Sequence, residues 1–265
     1  MSTRADTLPT VHDTGSGDAV LFLHAFPLDA SQWDHQVAAL SGDVRCVRVD
    51  LWGCGTSAPP PPGAPSLDDF AASVLAALDS RGIERFTVVS LSMGGYLAFA
   101  LWRLAAKRIR ALALCNTRAS ADDDAQRQAR LAMADRVERE QSVESIVEPM
   151  IERLLGPVAR EEVHIADPVR GRIRRCSPAG VVYAQHAMAA RRDASELLGS
   201  IDVPTLVIAG TQDAVIPAAE VRAMSGLIPG ARFVELACGH LSNLEDPRAF
   251  SEALSSLLVP AGTPR

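Results

Sequence analysis

The chain has 265 residues, of which 48% are hydrophobic and 22% are charged, and its net charge is −6. This length and composition predict a soluble globular protein with one large core. The negative charge and the absence of a basic cluster argue against a nucleic-acid-binding surface.

Strand and helix patterns alternate up to Asn116. Short apolar runs predict the strands, and amphipathic stretches predict the helices between them. This alternation implies an α/β fold, a mostly parallel sheet with helices on both faces. The predicted strands cover residues 8–12, 19–23, 44–49, 86–89 and 109–114, and the predicted helices cover 31–40, 66–80 and a stretch ending near 106.

The alternation stops after Asn116 and resumes only near residue 204. Between these points the sequence has helical patterns and no strand signal. We therefore predict an α-helical cap, residues 119–199, inserted into a core formed by residues 1–118 and 200–265. Helices are predicted in the cap at 122–140, 143–155, 163–175 and 179–192, followed by strands at 204–209 and 232–236, a helix from 217 and a last helix ending near 258.

The turn after the strand at 86–89 carries a serine motif. Its sequence, Ser90-Leu91-Ser92-Met93-Gly94, matches the nucleophile elbow G-x-S-x-G, except that Ser90 replaces the first glycine. In such an elbow the second serine stands alone above the sheet, and the following helix N-terminus favours negative charge beside it. The alternative interpretation of Ser92 is an ordinary helix-capping serine.

Ser92, Asp213 and His240 each follow directly after a predicted strand. Parallel sheets present their sites at these strand ends, and the order Ser, Asp, His is known for such folds. A serine hydroxyl becomes a nucleophile when a neutral imidazole accepts its proton, and a carboxylate orients the imidazole. Alone, His240 could be structural and Asp213 a turn residue, but their occurrence with the elbow predicts a catalytic triad.

With these motifs the sequence resembles the α/β-hydrolase superfamily, in its esterase, enol-lactonase and haloperoxidase-like branch. His24-Ala25-Phe26-Pro27 is similar to the oxyanion loop of the family, residues 50–57 to its D-x-x-G-x-G-x-S segment, and residues 238–247 to its histidine loop. The resemblance implies that the backbone N–H groups of Phe26 and Met93 form an oxyanion hole. Asn116 stands where some relatives keep their acid, which leaves Asp213 in that role.

We expect a serine hydrolase that cleaves a small or medium carboxylic ester or lactone through an acyl-enzyme, with Ser92 as nucleophile, His240 as base and Asp213 as acid. A carboxylated enol-lactone, an amide or a carbon–carbon bond could be cleaved by the same groups, and the fold does not decide among them. A ligand-binding receptor with little turnover is the alternative from another class. The expected partner is a small-molecule substrate, without nucleic acid, membrane, metal or organic cofactor.

We expect a substrate pocket with Ser92 as its floor and with His24, Phe26, Met93 and Leu241. The last three flank the catalytic residues in sequence. Apolar walls from three of these residues would suit an uncharged acyl chain. A carboxylated lactone would instead need a cationic partner, for which the cap offers Arg191 and Arg192. A solvated helix end is the favoured interpretation of these two arginines, so we expect a neutral ester, with the carboxylated lactone as the alternative.

The five cysteines are scattered and lack CxxC spacing. This pattern favours buried thiols in a reducing compartment over disulfides or a zinc site. The first thirteen residues contain no apolar signal region, and no run of eighteen apolar residues occurs anywhere. The sequence therefore predicts a cytoplasmic protein.

Overall fold

The computed structural model describes residues 8–258. Its seven strands are β1 Thr10–Thr14, β2 Ala19–Leu23, β3 Arg45–Asp50, β4 Phe86–Leu91, β5 Ile109–Cys115, β6 Thr205–Gly210 and β7 Arg232–Leu236. They form one sheet in the order β1-β3-β2-β4-β5-β6-β7. All neighbouring strands are parallel except the edge strand β1, which pairs antiparallel with β3. The predicted α/β fold is therefore confirmed. The predicted outer limits of the core, residues 1 and 265, and most of the stretch without a signal region lie outside the described residues.

The centre of the sheet is covered on both sides. Every residue of β2, β4 and β6 is buried, as expected for parallel strands between helical layers. The edge strand β7 has no fully buried residue. The carboxyl ends of β4, β5 and β6 lie side by side, because Leu91 pairs with Cys115 and Cys115 with Ile208. Residues that follow these strands are therefore brought to one edge of the sheet.

Helices pack around the sheet. The long helix α3 (Met93–Ala105) lies against β2, β4 and β5, while α10 (Pro247–Leu258) lies against β5, β6 and β7. Ser66 caps α2, accepting a hydrogen bond from the N–H of Asp69. The helices outside the region between β5 and β6 are α1 Asp34–Leu40, α2 Leu67–Asp79, α3 Met93–Ala105, α8 Ala218–Gly226, α9 Ser242–Glu245 and α10 Pro247–Leu258.

Between β5 and β6 the chain forms only helices and loops in the described structure. Helix α4 begins with a capping box, in which Asp123 and Gln126 satisfy each other's backbone N–H groups. It packs along α7, and α5 packs on α6. No described helix is long and apolar enough to cross a bilayer. The four helices are α4 Asp124–Glu140, α5 Glu144–Leu154, α6 Val163–Arg174 and α7 Pro178–Ala189.

One sequence-based expectation about the cysteines is wrong. Cys54, in the loop after β3, forms a disulfide with Cys176, just before α7. The two loops meet because Gly53 and Gly180 approach each other closely: a Cβ atom on Gly53 would lie 2.4 Å from the Gly180 Cα. The two cysteines are 122 residues apart, so their spacing does not indicate this pairing. The remaining cysteines, Cys46, Cys115 and Cys238, are free and buried.

Candidate active site

Ser92 occupies a sharp turn between β4 and α3. Its φ is +57° and its ψ is −115°, a conformation that is rare and costly for a residue with a side chain. Strand and helix nearly touch there, because a Cβ atom on Gly94 would lie 2.2 Å from the Leu23 carbonyl oxygen. The turn is held by hydrogen bonds from the Ser92 N–H to the Cys115 carbonyl and from the Thr117 hydroxyl to the Ser92 carbonyl. The local chain thus has the geometry of a nucleophile elbow.

Asp213 and His240 are joined by a short hydrogen bond. The distance between His240 Nδ1 and Asp213 Oδ2 is 2.7 Å, and both side chains are almost completely buried. The other carboxylate oxygen, Oδ1, accepts from the N–H groups of Val215 and Ile216 at 2.7 and 2.9 Å. This arrangement orients the imidazole, with Nδ1 donating and Nε2 left to accept a proton.

Asn116 also contacts the acid. Its Nδ2 donates to Asp213 Oδ2 at 3.0 Å, and its Oδ1 accepts from the Ser242 hydroxyl at 2.6 Å. Burial opposes ionisation of Asp213, but His240, Asn116 and the Ile216 N–H outweigh it. The pKa of Asp213 consequently lies below its usual range, and the carboxylate is charged at neutral pH. The resemblance singled out Asn116 only as the position after a strand where some relatives keep their acid.

Ser92 and His240 line the same cavity. Within the described residues, His240 Nε2 is buried and has no hydrogen-bond partner, so the Ser92 hydroxyl does not donate to it in this structure. In enzymes without bound substrate, such catalytic hydrogen bonds are often long and tighten on binding. The structure therefore brings Ser92, Asp213 and His240 to one site, without a hydrogen bond between Ser92 and His240.

Met93 and Phe26, the two residues expected at an oxyanion hole, lie on different elements beside this site. Met93 is the first residue of α3, where a backbone N–H has no intrahelical acceptor. Phe26 lines the cavity with Ser92. His24 is fully buried below the loop: its Nδ1 faces the Ala25 carbonyl and its Nε2 accepts from the Leu51 N–H. Burial lowers the pKa of His24, so the ring is neutral.

The cavity has a volume of about 160 Å³ and is more polar than the sequence suggested. Of the four predicted pocket residues, Phe26 lines it, whereas His24, Met93 and Leu241 do not. Those three side chains are buried instead, each with at most 1% of its surface exposed. The wall opposite Ser92 comes from the helices between β5 and β6, with Gln126, Arg130, Met133, Met150, Arg153, Leu154, Gln185 and Met188.

A buried ion cluster forms part of this wall. The Asp122 side chain is only 2% exposed and pairs with Arg130 and Arg191, the latter at 2.7 Å. Burial opposes ionisation of Asp122, but the two arginines outweigh it and hold the pKa of the carboxyl below its usual range. The expectation of a solvated helix end is thus wrong for Arg191, which is 4% exposed, whereas Arg192 is 75% exposed. Neither Arg191 nor Arg192 lines the cavity.

Two further arginines reach the cavity. Arg118 donates to the Val215 carbonyl at 3.0 Å and lies 3.5 Å from Glu220. Arg153 lies at the exposed end of α5, and among residues 8–258 it has no ion-pair or hydrogen-bond partner. No group of three metal-ligating side chains occurs in the described part of the chain.

The sequence profile of the alpha/beta hydrolase family matches residues 20–253. Among curated proteins, the chain is similar to 3-oxoadipate enol-lactonase 2 from Acinetobacter baylyi. The two are 27% identical over 241 residues, which cover 91% of this chain and 88% of the relative.

Solved structures agree with this relationship. A thermophilic esterase from Thermogutta terrifontis, with malate bound, has a TM-score of 0.90 and 35% identity, covering 94% of this chain and 92% of the esterase. The enol-lactonase from Burkholderia xenovorans has a TM-score of 0.87 and 30% identity, covering 95% of this chain and 96% of that protein.

Proposed function

The chain belongs to the alpha/beta hydrolase family, and from this premise we propose that it is a serine hydrolase of a small or medium carboxylic ester or lactone. The observation that carries the proposal is the set of Ser92 on its strained turn and the hydrogen-bonded pair His240–Asp213, with Ser92 and His240 facing one cavity. Esterases and enol-lactonases among its relatives support the bond type.

The chemistry follows from the placement of these groups. Ser92 Oγ attacks the acyl carbon while His240 Nε2 takes its proton, and the alcohol leaves as His240 returns that proton. A water molecule then repeats the sequence on the acyl-enzyme. Asp213 holds the ring by Nδ1 and stabilises the transient imidazolium. An amide or carbon–carbon substrate would use the same steps.

The oxyanion that forms in each step needs preorganised donors. The N–H groups of Phe26 and Met93 supply them in this proposal, one from the loop after β2 and one from the first turn of α3. Loss of such a donor typically raises the barrier by roughly 3 kcal/mol. The dipole of α3 adds to the stabilisation at its N-terminus.

Turnover of short p-nitrophenyl esters tests the proposal. Ser92→Ala should lower kcat by at least about a thousandfold, because it removes the nucleophile while the fold persists. The exposed Ser80→Ala is the matched control and should leave kcat unchanged. Retention of more than a tenth of the turnover in Ser92→Ala would refute the serine mechanism, and absence of turnover in the wild type would favour the receptor hypothesis.

A carboxylated ester or lactone is the second candidate substrate class, and the cavity wall favours it more than the sequence did. Arg130 is paired with Asp122. Arg118 donates to the Val215 carbonyl and forms an ion pair with Glu220. The free cation at the cavity is Arg153, within the described residues. A desolvated substrate carboxylate requires such a partner, and relatives of this chain act on 3-oxoadipate enol-lactone or were solved with malate.

Matched neutral and ω-carboxylated esters separate the two classes. If a carboxylate is recognised, the charged ester has the higher kcat/KM, and Arg153→Ala removes the advantage while Arg192→Ala keeps it. A higher kcat/KM for the neutral ester in the wild type would assign the uncharged substrate. In either case residues 119–199 act as the cap that determines substrate choice.

A further inference from the structure

The segment that ends α5, residues 154–156, is hydrogen-bonded to the loop that carries His240. The carbonyl oxygen of Leu154 accepts from the N–H groups of both His240 and Leu241, at 3.1 Å each. Leu154 also lines the cavity, together with Ser92 and His240. The same segment therefore borders the substrate space and holds the backbone of the proposed base.

The side chain of Glu245 joins the same two stretches. Its Oε2 accepts from the N–H of Gly239 at 2.8 Å and from the N–H of Gly156 at 3.2 Å. Burial of this carboxyl raises its pKa, and the two hydrogen bonds compensate for part of the lost hydration. The other oxygen, Oε1, is buried and has no hydrogen-bond partner among residues 8–258. The bridge through Glu245 therefore consists of the two hydrogen bonds that Oε2 accepts.

The two stretches cross too closely for any side chain at the crossing. A Cβ atom on Gly239 would lie 2.3 Å from Gly156 N, and one on Gly156 would lie 2.8 Å from Glu245 Oε2. Side-chain packing between these glycines therefore cannot set the distance between the end of α5 and the histidine loop. Hydrogen bonds to Glu245 and to the Leu154 carbonyl set it instead.

We propose that Glu245 is a positioning residue for the reaction, which holds the end of α5 and the loop of His240 in one relative position. Asp213 orients the imidazole ring, and Glu245 fixes the backbone one residue before it. Because Leu154 borders the cavity, the substrate wall and the base are held as one unit. The inference rests on the proposed function, since it takes His240 as the base.

Paired substitutions at Glu245 test the inference. Glu245→Ala removes the bridge and should lower kcat by about 10- to 100-fold, because small displacements of a catalytic group have effects of that size. KM should change by less than about threefold. Glu245→Gln keeps an acceptor oxygen for both N–H groups and should retain kcat within about threefold. If Glu245 only stabilised the fold, kcat per folded molecule would be the same in Glu245→Ala and Glu245→Gln.

A second variant changes the other side of the bridge, at Gly156 just after α5. Gly156→Ala places its methyl group against Glu245 Oε2 and should also lower kcat by about tenfold or more. Gly171→Ala, in α6, is the matched control and should behave as the wild type, because its added Cβ would lie 3.8 Å from the nearest atom outside the nearby helix backbone. Because both changes break one bridge, Glu245→Ala with Gly156→Ala should lose less than the product of the single losses.

Unchanged kcat, within about threefold, in Glu245→Ala and Gly156→Ala overturns the inference, as do multiplicative losses in the double variant. Should Glu245→Ala fail to fold, Gly156→Ala with Glu245→Gln gives the same decision. His240→Ala, measured in parallel, distinguishes a failure of the positioning role from a failure of the proposed function. If it abolishes turnover while the bridge variants are active, only the positioning role fails; if it stays active, the proposed function fails and this inference with it.

Discussion

At the scale of single residues, the surroundings of Ser90 explain why the elbow can have a serine where the motif has glycine. Its side chain is fully buried, and its hydroxyl donates to the Ala113 carbonyl on β5 at 2.9 Å. Helix α3 lies very close to its neighbours at Gly94 and Gly95, where a Cβ atom would meet Leu23 or Thr117 within 2.3 Å. Ser90 therefore stabilises the sheet beside the elbow.

Replacing Ser90 by glycine should keep the activity and lower the stability slightly. The loss of one buried hydrogen bond and the greater freedom of glycine in a strand together cost about 1–2 kcal/mol. Urea unfolding and ester turnover measure the two effects. A drop in kcat of more than about tenfold, without unfolding, would mean that the hydroxyl contributes to the reaction.

His24 should make the stability depend on pH. Burial lowers the pKa of its folded form below the ordinary value of 6.5, so the unfolded chain binds a proton first as the pH falls. Stability from this group is therefore complete above pH 6.5 and is lost below it, by up to about 1.4 kcal/mol per pH unit. Urea unfolding at pH 7.5 and 5.5 measures the slope. His24→Gln should be less stable at pH 7.5 but should have a flatter dependence, and an equal slope in both proteins would contradict the prediction.

At the scale of elements, the end of α7 shows how two adjacent arginines come to differ. Arg191 points inward, where its guanidinium stacks 4.1 Å above the Tyr96 ring and donates to the Ser120 carbonyl at 2.9 Å. It thereby connects the loop before α4, the end of α7 and helix α3. Arg192 points outward and lies 3.7 Å from Asp68.

Removing Arg191 should destabilise the protein strongly. Arg191→Ala leaves the buried Asp122 with one cationic partner instead of two, and breaking a buried pair typically costs 3–5 kcal/mol, so we expect about 3 kcal/mol. Arg192→Ala is the matched control and should change the free energy of unfolding by less than about 0.5 kcal/mol. Equal effects of the two substitutions in urea unfolding would show that the cluster does not stabilise the helical region.

At the scale of the whole molecule, the disulfide Cys54–Cys176 joins the loop after β3 to the helices between β5 and β6. The same junction includes a hydrogen bond of 2.6 Å from the Ser177 N–H to the Gly53 carbonyl and the close contact of Gly53 with Gly180. The disulfide therefore closes a long covalent loop that contains the whole elbow and the part of the cavity wall that comes from α4 and α5.

Reduction should lower the stability of the intact protein. Closing a loop of 122 residues restricts the unfolded chain, and such a bond typically contributes about 2–4 kcal/mol. Dithiothreitol should therefore lower the Tm of the wild type but not of Cys54→Ala with Cys176→Ala. Cys46→Ala, which changes a free buried thiol, should keep the sensitivity to reductant. A wild-type Tm that is independent of reductant would contradict this prediction.

The sequence by itself determined the order of strands and helices and the residues that stand at the strand ends. Strand β7 has its predicted limits, and α6 ends within one residue of its predicted end. Ser92, Asp213 and His240 could be singled out because local apolar periodicity defines a strand, and a parallel sheet collects its carboxyl ends at one edge. Each element could be predicted because its apolar periodicity involves residues near each other in the chain.

Only the tertiary structure decided what surrounds those residues. The partner of Cys54 is 122 positions away, Asn116 meets Asp213 across 97, and Gly156 meets Glu245 across 89. The position of the helices between β5 and β6 on the core decides which of Arg191 and Arg192 is buried. It also decides whether Met93 or Arg153 lines the cavity. Periodicity along one helix identifies its apolar face but not the polar atoms that another segment places against it.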